Sequence, residues 1–480
     1  MTRSFVSNLI FLLVINLLVK PFYVLAIDRV VQIRVGEASY GLYFALFNFA
    51  YLFYVLLDMG FTSFNNRTIA QNPKRLSELV PNFLIAKTAL ALLFLLVIFF
   101  FAWCFNYDAQ SLWLLLPIGI NVILIALNFY LRSNISGLQH FKIDSTLSMI
   151  DRLSMIFICG WLLWFSQIET FKIEHFIYAQ TCSYGITSLL ALGFLYRFGA
   201  FKKIRLDLKV VRTIIRDSLP YSLMLLLMAL YFRVDGFMIE RLLTDGKEQA
   251  GIYAAGFRIL DMFTAFALLF AGLLLPMFAR MLSENKGIQK LTKSSSKILL
   301  SIACITICPL LFHSDYVMTL LYPSATSYWV EVFEWLILSF LPIAVIFIFS
   351  TLLTANGNLR TMNIIALFGV VLNISLNLFL IPSLKAEGAA ITTLLTQFIM
   401  ALSYFVASHK QFAFQTDYRL IFKVGILAAL AILINYGLSI SSLPSEYQII
   451  IGVIAVGFGA FVMRILSFKE LWSYIILKAN

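Results

Sequence analysis

At 480 residues the chain has the length of about three soluble domains, yet 61% of it is apolar and only 12% is charged, and its mean hydropathy is +0.91. Soluble chains carry about 25% charged residues, so a soluble enzyme, a nucleic-acid reader and a secreted disulfide scaffold are excluded. The net charge of +12 then needs a topological origin, because the basic residues lie in short spacers between hydrophobic runs.

Apolar runs of about 20 residues predict fourteen membrane-spanning helices in an all-α polytopic membrane protein. In chain order they cover residues 4–27, 40–62, 81–103, 112–131, 146–165, 174–196, 219–241, 250–278, 298–312, 332–355, 361–381, 387–408, 420–439 and 447–466. The ninth is the shortest and ends at Pro309 and His313. Lys and Arg collect in cytoplasmic loops, and their distribution tests the count. With the N-terminus inside, the outer segments hold only Arg29, Arg34, Lys172, Arg241, Lys247 and Lys385. Lys20, Lys87, Arg152, Arg233 and Arg258 fall within spans, and every other one of the 36 basic residues is inside. Both termini are therefore expected in the cytoplasm. Residues 1–26 could pass for a signal peptide, but Lys20-Pro21 interrupts the run before Val24-Leu25-Ala26, and the charge alternation needs this stretch as a helix. The five cysteines lie in or beside spans and predict no disulfide framework.

The stretch Gly36-Glu37-Ala38-Ser39-Tyr40-Gly41-Leu42-Tyr43-Phe44-Ala45 aligns without a gap on Gly246-Lys247-Glu248-Gln249-Ala250-Gly251-Ile252-Tyr253-Ala254-Ala255. Both copies lead into an even-numbered span, the second and the eighth. The repeat predicts two pseudo-symmetric six-helix lobes plus two extra C-terminal helices. Residues 1–217 form the N-lobe with its basic linker, 218–419 the C-lobe, and 420–480 the last helix pair and tail. Duplicated transporters place their substrate path at the repeat interface, and the cavity is expected there.

Val35-Gly36-Glu37-Ala38-Ser39-Tyr40-Gly41-Leu42-Tyr43, Leu57-Asp58-Met59-Gly60 and Asn65-Asn66-Arg67-Thr68-Ile69-Ala70 resemble the opening of bacterial polysaccharide-export flippases. Asn356-Gly357-Asn358, Asn373-Ile374-Ser375-Leu376-Asn377-Leu378, Ile381-Pro382 and Glu387-Gly388-Ala389-Ala390-Ile391 resemble the C-terminal lobe of the same family. The similarity covers nearly the whole chain. It points to the O-antigen and polysaccharide flippases of the multidrug/oligosaccharidyl-lipid/polysaccharide exporter (MOP) superfamily. It implies alternating-access transport of a lipid-linked oligosaccharide, typically on undecaprenyl pyrophosphate, for O-antigen, capsule or another surface polysaccharide. The implied partners are that substrate, membrane lipid, a polysaccharide polymerase and glycosyltransferases, with H+ or Na+ as coupling ion. Related lipid II flippases use cavity arginines on the first, second and eighth helices; here Lys20 and Arg258 stand on the first and eighth, and the second has none.

Ionisable residues inside spans are costly and mark functional interiors. Lys20 beside the kink-permitting Pro21, Arg233 and Arg258 are the candidates for holding a pyrophosphate headgroup, with snorkelling to an interface the structural reading of Lys20. Arg258 and Asp261 are three apart and can form an ion pair, read equally as a structural lock or a gate. Asp235, two residues from Arg233, is the candidate coupling carboxylate. Asp58, Asp151, Arg152 and Lys87 are explained by helix caps and snorkelling at the interface, and Asp28 and Arg29 by an outer mouth. His140, His175, His313 and His409 have no metal-ligand spacing, and there is no phosphate-cradling GxxxxGK loop, so neither catalysis, a cofactor, a metal nor nucleic-acid binding is expected. Two other readings compete. A drug/cation antiporter of the same superfamily would favour buried acids over this mixed interior. A multispanning O-antigen polymerase or ligase would carry a large outer loop, where the longest here, residues 313–331, has no basic residue.

Overall fold

The structure is a computed structural model that describes residues 18–166, 170–201, 208–415 and 417–466, with the side chains of 63, 64, 67, 208–221, 224 and 225 outside the description. Every regular element among these residues is a helix. The chain divides into two compact units at Gly251/Ile252, inside a helix that begins at Gly246.

The first unit opens with a helix that widens into a π-helical turn, Tyr23–Asp28, just after Pro21, and continues as α1 (Arg29–Val35). The second expected span is not one helix. Its pieces are α2 (Glu37–Leu52), the single turn α3 (Val55–Asp58) and α4 (Phe61–Gln71). Met59 and Gly60 are both left-handed, at φ 43° and 78°, which ends α3 because L-residues cannot continue a right-handed helix there. A break at membrane depth frees backbone groups that water cannot satisfy. Here the Asp58 carboxylate accepts the Thr62 amide (3.3 Å) and the Thr62 hydroxyl, and so caps α4. From α5 (Leu76–Cys104), Lys87 donates to the freed Leu57 carbonyl at 2.8 Å. The Lys87 ammonium stands 3.8 Å from Asp58, both side chains being buried, and over the rings of Phe61 and Tyr130 at 5.8 and 5.2 Å. Lys87 therefore does not snorkel to an interface; it closes a helix break.

Four further helices complete the unit: α6 (Ala109–Gly137), α7 (Phe141–Trp164), α8 (Ile173–Arg197) and α9 (Leu208–Leu242). The second half of the expected linker, from Leu208, thus belongs to a helix. Hydrogen bonds fasten α6 to α8: Asn121 donates to the Ile177 carbonyl (3.0 Å) and accepts from Thr181 (2.6 Å), while Asn128 donates to the Tyr184 carbonyl (3.1 Å) and accepts from Ser188 (2.9 Å). The motif asparagines act similarly, Asn65 donating to Ser133 and Asn66 to Ser136 across α4 and α6. Between lipid-like helices such bonds and close packing replace the hydrophobic drive.

The sequence repeat meets itself in this unit. Gly41, one turn into α2, lies against the backbone of the second copy. A Cβ there would collide with the Lys247 carbonyl oxygen and stand 2.5 Å from the Gly251 nitrogen. A Cβ on Gly251 would collide in turn with the Glu37 carbonyl. Gln32 of α1 donates to the Gly251 carbonyl at 2.9 Å. Matched glycines thus make a backbone crossing of the small-residue kind.

Asp108 caps α6, accepting the Ser111 amide at 2.9 Å, and lies 3.8 Å from Lys247. The Ser111 bonds, aided by Lys247, hold its carboxyl below the usual range. A depressed folded-state pKa contributes stability above the unfolded value of about 3.9 that is lost as pH falls through the folded value. Asp108→Ala should cost about 1 kcal/mol at pH 7, by thermal unfolding in detergent, and the gap to the wild type should narrow below pH 4. An unchanged gap at low pH would remove the charged cap.

The second unit continues the helix from Gly246, labelled α10 (Gly246–Ser283), through α11 (Gln289–Phe312), α12 (Ser314–Leu321), α13 (Ser327–Leu338) and α14 (Phe340–Ala355). The segment α15 (Leu359–Phe412) is two helices across the non-helical Lys385 (φ 57°), and α16 (Tyr418–Ser439) and α17 (Ser445–Val462) follow. The expected ninth span is longer than read: α11 starts at Gln289, which brings Lys290, Lys293 and Lys297 onto the helix. The last pair packs on it, Leu427, Ala431, Val456 and Ala460 sharing a core with Ile298 and Cys304. The motif Glu387 is held at the Lys385 break: it accepts from the Trp335 indole at 3.1 Å, and its amide donates to the Tyr328 hydroxyl at 3.3 Å. Among the described residues nine helical segments are long and apolar enough to cross a membrane, with Leu359–Phe412 counted once. The all-helical membrane fold is as expected. The first expected span begins outside the described residues, and α8, diluted by its polar side chains, is not among the nine.

Candidate functional site

One cluster of candidates forms inside the first unit. Asp28 ends the π-helical turn and is only 2% exposed; it accepts from the Tyr40 hydroxyl of α2 at 2.8 Å. This corrects the expectation of a solvated outer mouth, since a π-turn widens the helix and turns its side chains off the regular register. Arg29, the next residue, is half-buried, and among the described residues no hydrogen bond satisfies its Nε. Asp151 and Arg152 lie in the middle of α7, not at its start. Asp151 caps the Arg152 amide at 2.8 Å, its carbonyl accepts from Ser183 at 2.5 Å, and the Arg152 guanidinium stands 4.9 Å over the Tyr23 ring. Tyr23 lies within electrostatic reach of both Asp28 and Arg152. The cluster therefore holds two acids and a guanidinium among tyrosine hydroxyls, a setting that can bind an anion or carry a proton or cation.

Behind it, α8 presents Gln180, Ser183, Tyr184 and Thr187, all buried. Gln180 exchanges hydrogen bonds with Tyr43 of α2, at 2.8 and 3.1 Å. Sequence reading passed over these residues because none is charged. Their spacing at i, i+3, i+4 and i+7 within an apolar span was the available signal.

The other candidates are spread more widely. Lys20 is half-buried on the helix one turn before the π-turn. Arg233 on α9 is half-buried and stands 5.3 Å over the Tyr51 ring, a cation–π contact. Asp235 is 3% exposed, on a helix joined to α2 by the stacked Phe49 and Phe237 rings. Asp58 belongs to the helix break and is committed to Lys87 and Thr62. In the second unit Arg258 and Asp261 are both half-buried on α10. A spacing of three permits their ion pair without imposing it. At the end of α9 Glu240 is 4% exposed and bonded by Arg241 at 2.6 Å and by the Tyr107 hydroxyl at 2.9 Å. Arg241, read as an outer-loop residue, also donates to the Phe105 carbonyl and stacks 3.9 Å over Tyr107. Among the described residues no group of three or more His, Cys, Asp or Glu is placed to hold a metal.

The sequence pattern of the family described as polysaccharide biosynthesis protein matches residues 5–282. The chain belongs to that family. The family resemblance is thereby borne out, the motifs at 35–70 lying inside the match and those at 356–391 outside it, and the pattern of a second family, MatE, matches residues 220–379 of this polysaccharide biosynthesis family member. No protein of curated function matches it by sequence. Among solved structures it resembles the lipid II flippase MurJ in an inward closed conformation, at TM-score 0.72 and 15% identity over 98% of this chain and 100% of that one. An inward-facing multidrug resistance MATE family transporter of the MOP superfamily gives 0.66 and 15% over 84% and 98%. A MOP superfamily transporter from Pyrococcus furiosus gives 0.63 and 16% over 85% and 95%. The family member therefore shares its fold with MurJ over 98% of its length and with the two MOP superfamily transporters over 84% and 85% of it.

Proposed function

We propose that this protein is a flippase that carries an oligosaccharide built on an isoprenoid pyrophosphate, of the undecaprenyl kind, across the bacterial cytoplasmic membrane by alternating access. Its product would feed O-antigen, capsule or another surface polysaccharide, and a polymerase and glycosyltransferases would act beside it. The observation that carries this reading is the polysaccharide biosynthesis pattern over residues 5–282, on a chain whose fold is shared with a lipid II flippase. In this reading Lys20, Arg233 and Arg258 bind the pyrophosphate, whose charges need charge-assisted bonds in a partly desolvated interior. Asp235 and Asp261 take the coupling H+ or Na+. Both termini face the cytoplasm, and the lobes run over 1–217 and 218–419, followed by a final helix pair. The protein moves its substrate without altering its covalent bonds.

A second reading, a drug or cation antiporter, is favoured by the MatE match at residues 220–379. One experiment separates the two: expression in a bacterium lacking its own exporter of a defined surface polysaccharide. Wild-type chain should restore the surface polymer, and Lys20→Ala or Arg258→Ala should lose it at unchanged protein levels. Full export by a variant removes that residue from the headgroup site. Drug resistance without any polymer would overturn the flippase reading in favour of the antiporter.

A further inference from the structure

A cavity of about 220 Å³ lies in the second unit, walled by α11, α14, the second half of α15 and α16. It contains none of the residues assigned above to the headgroup or to coupling. Its lining is graded. On α11 the polar Gln289, Thr292 and Lys293 come first and Leu300 lies deeper; on α16 Asp417 comes first, then Leu420, Ile421 and Val424. On α15 His409 is nearest the helix end and Phe405 lies one turn in. Three walls thus run from polar at the helix end to apolar beyond it, with Phe414 of the connection before α16 an apolar exception at the polar end.

The polar end is closed within the protein. Lys293 pairs with Asp417 at 2.9 Å, and Gln289 donates to the Gln415 carbonyl at 3.0 Å. The Lys293 bond holds the Asp417 carboxyl below the usual carboxylate range, so the one acid lining the cavity is neutralised. On the same helix ends stand the exposed cations Lys290, Lys410, Arg419 and Lys423, Lys423 donating to the Met463 carbonyl at 3.0 Å and Lys410 lining a neighbouring hollow with Val406, so this end carries an excess of positive charge. The wall opens sideways at the first turns of α16: Ile421 lines the cavity yet is 56% exposed, and its neighbour Phe422 is 70% exposed, an apolar surface of the kind that faces hydrocarbon. In volume the cavity falls below the ~300–1,000 Å³ of a drug-sized site, so it admits a slender chain and not a glycan.

An apolar slot that opens sideways to lipid beneath a cluster of cations has the chemistry of one molecule, and we propose that it seats an acyl chain of an anionic glycerophospholipid whose phosphate rests among Lys290, Lys410, Arg419 and Lys423. Basic residues at a membrane surface attract anionic headgroups, and the chain would replace the contacts that an empty apolar slot lacks. The lipid would wedge α16 against α11 and α14, at the point where the last helix pair joins its unit.

The test uses the purified full chain with phosphatidylglycerol carrying a photoactivatable acyl chain, against the same probe on phosphatidylcholine, and with inorganic phosphate as a third arm. Phosphatidylglycerol should crosslink near Phe349 and Phe405 at least about tenfold more than phosphatidylcholine. Ile348→Trp, which fills the slot, should abolish the crosslink, with Val345→Phe as the second filling variant. Arg419→Gln with Lys410→Gln should keep the chain in the slot and reduce the preference several-fold. Equal labelling by the two lipids, or labelling unaffected by both filling variants, would overturn the proposal. So would protection from heat by inorganic phosphate equal to that by phosphatidylglycerol, which would mean an anion site without a chain. Displacement of the probe by equimolar isoprenoid phosphate would assign the slot to a transported lipid instead.

Discussion

Lys87→Met is expected to destabilise the protein by about 3–5 kcal/mol, the cost of breaking a buried ion pair from one side. The Asp58 carboxylate would stay buried without its cation, and the Leu57 carbonyl would lose its donor at the helix break. Leu57, Asp58 and Lys87 are all buried, so bulk water does not replace either contact. The double variant Asp58→Asn/Lys87→Met separates charge from packing. It removes the uncompensated carboxylate while leaving an amide oxygen for the Thr62 amide, so it should recover more than half of the loss. Thermal unfolding in detergent reads both. A single variant as stable as the wild type would show that the break needs no lysine, and a double variant no better than the single would place the cost in the Leu57 carbonyl.

Gly41→Leu is expected to prevent the first unit from assembling. Even a single Cβ at this position overlaps the Lys247 carbonyl. Both partners are backbone, so no side-chain rotation relieves the clash. The helices must part, and the Gln32 bond to Gly251 parts with them. Overpacking an ordinary core costs about 1–3 kcal/mol, where side chains give way; a backbone crossing should cost more. Gly185→Ala is the control, since α8 has nothing within 4 Å of that Cβ, and loss of a helical glycine should leave stability unchanged or raise it by about 0.5–1 kcal/mol. The yield of monodisperse protein after extraction reads the difference. Normal yield from Gly41→Leu would mean that the two repeat copies do not touch as described.

These two sites show where sequence was sufficient and where it was not. The repeat at Gly36 and Gly246 was visible as a pattern, and so was its placement ahead of two helices, because small residues at fixed spacing are a local property. Contact between the copies was not visible, since Gly41 and Gly251 are brought together only by folding. The apolar run at 40–62 reads as an unbroken span, yet the chain breaks at Met59 and Gly60. Hydropathy measures preference for lipid and says nothing of φ. Asp58 and Lys87 read singly as a cap and a snorkelling residue, and only the packing of α3 against α5 shows that the two charges meet.

What the sequence by itself determined is the solvent and the kind of element: charged residues are too few to face water, so the chain enters lipid, lipid accepts only helices or closed barrels, and apolar runs of about 20 residues select helices. Its motifs also determined the family. The tertiary structure decided which polar residues matter. In water, apolar periodicity marks the buried face of a helix, but in a bilayer the lipid-facing side is apolar too, and that signal vanishes. Asp28 and Arg152 accordingly look like loop and interface residues in the sequence, and only the packing of the π-turn, α2, α7 and α8 brings the buried Asp28 and the half-buried Arg152 together around Tyr23.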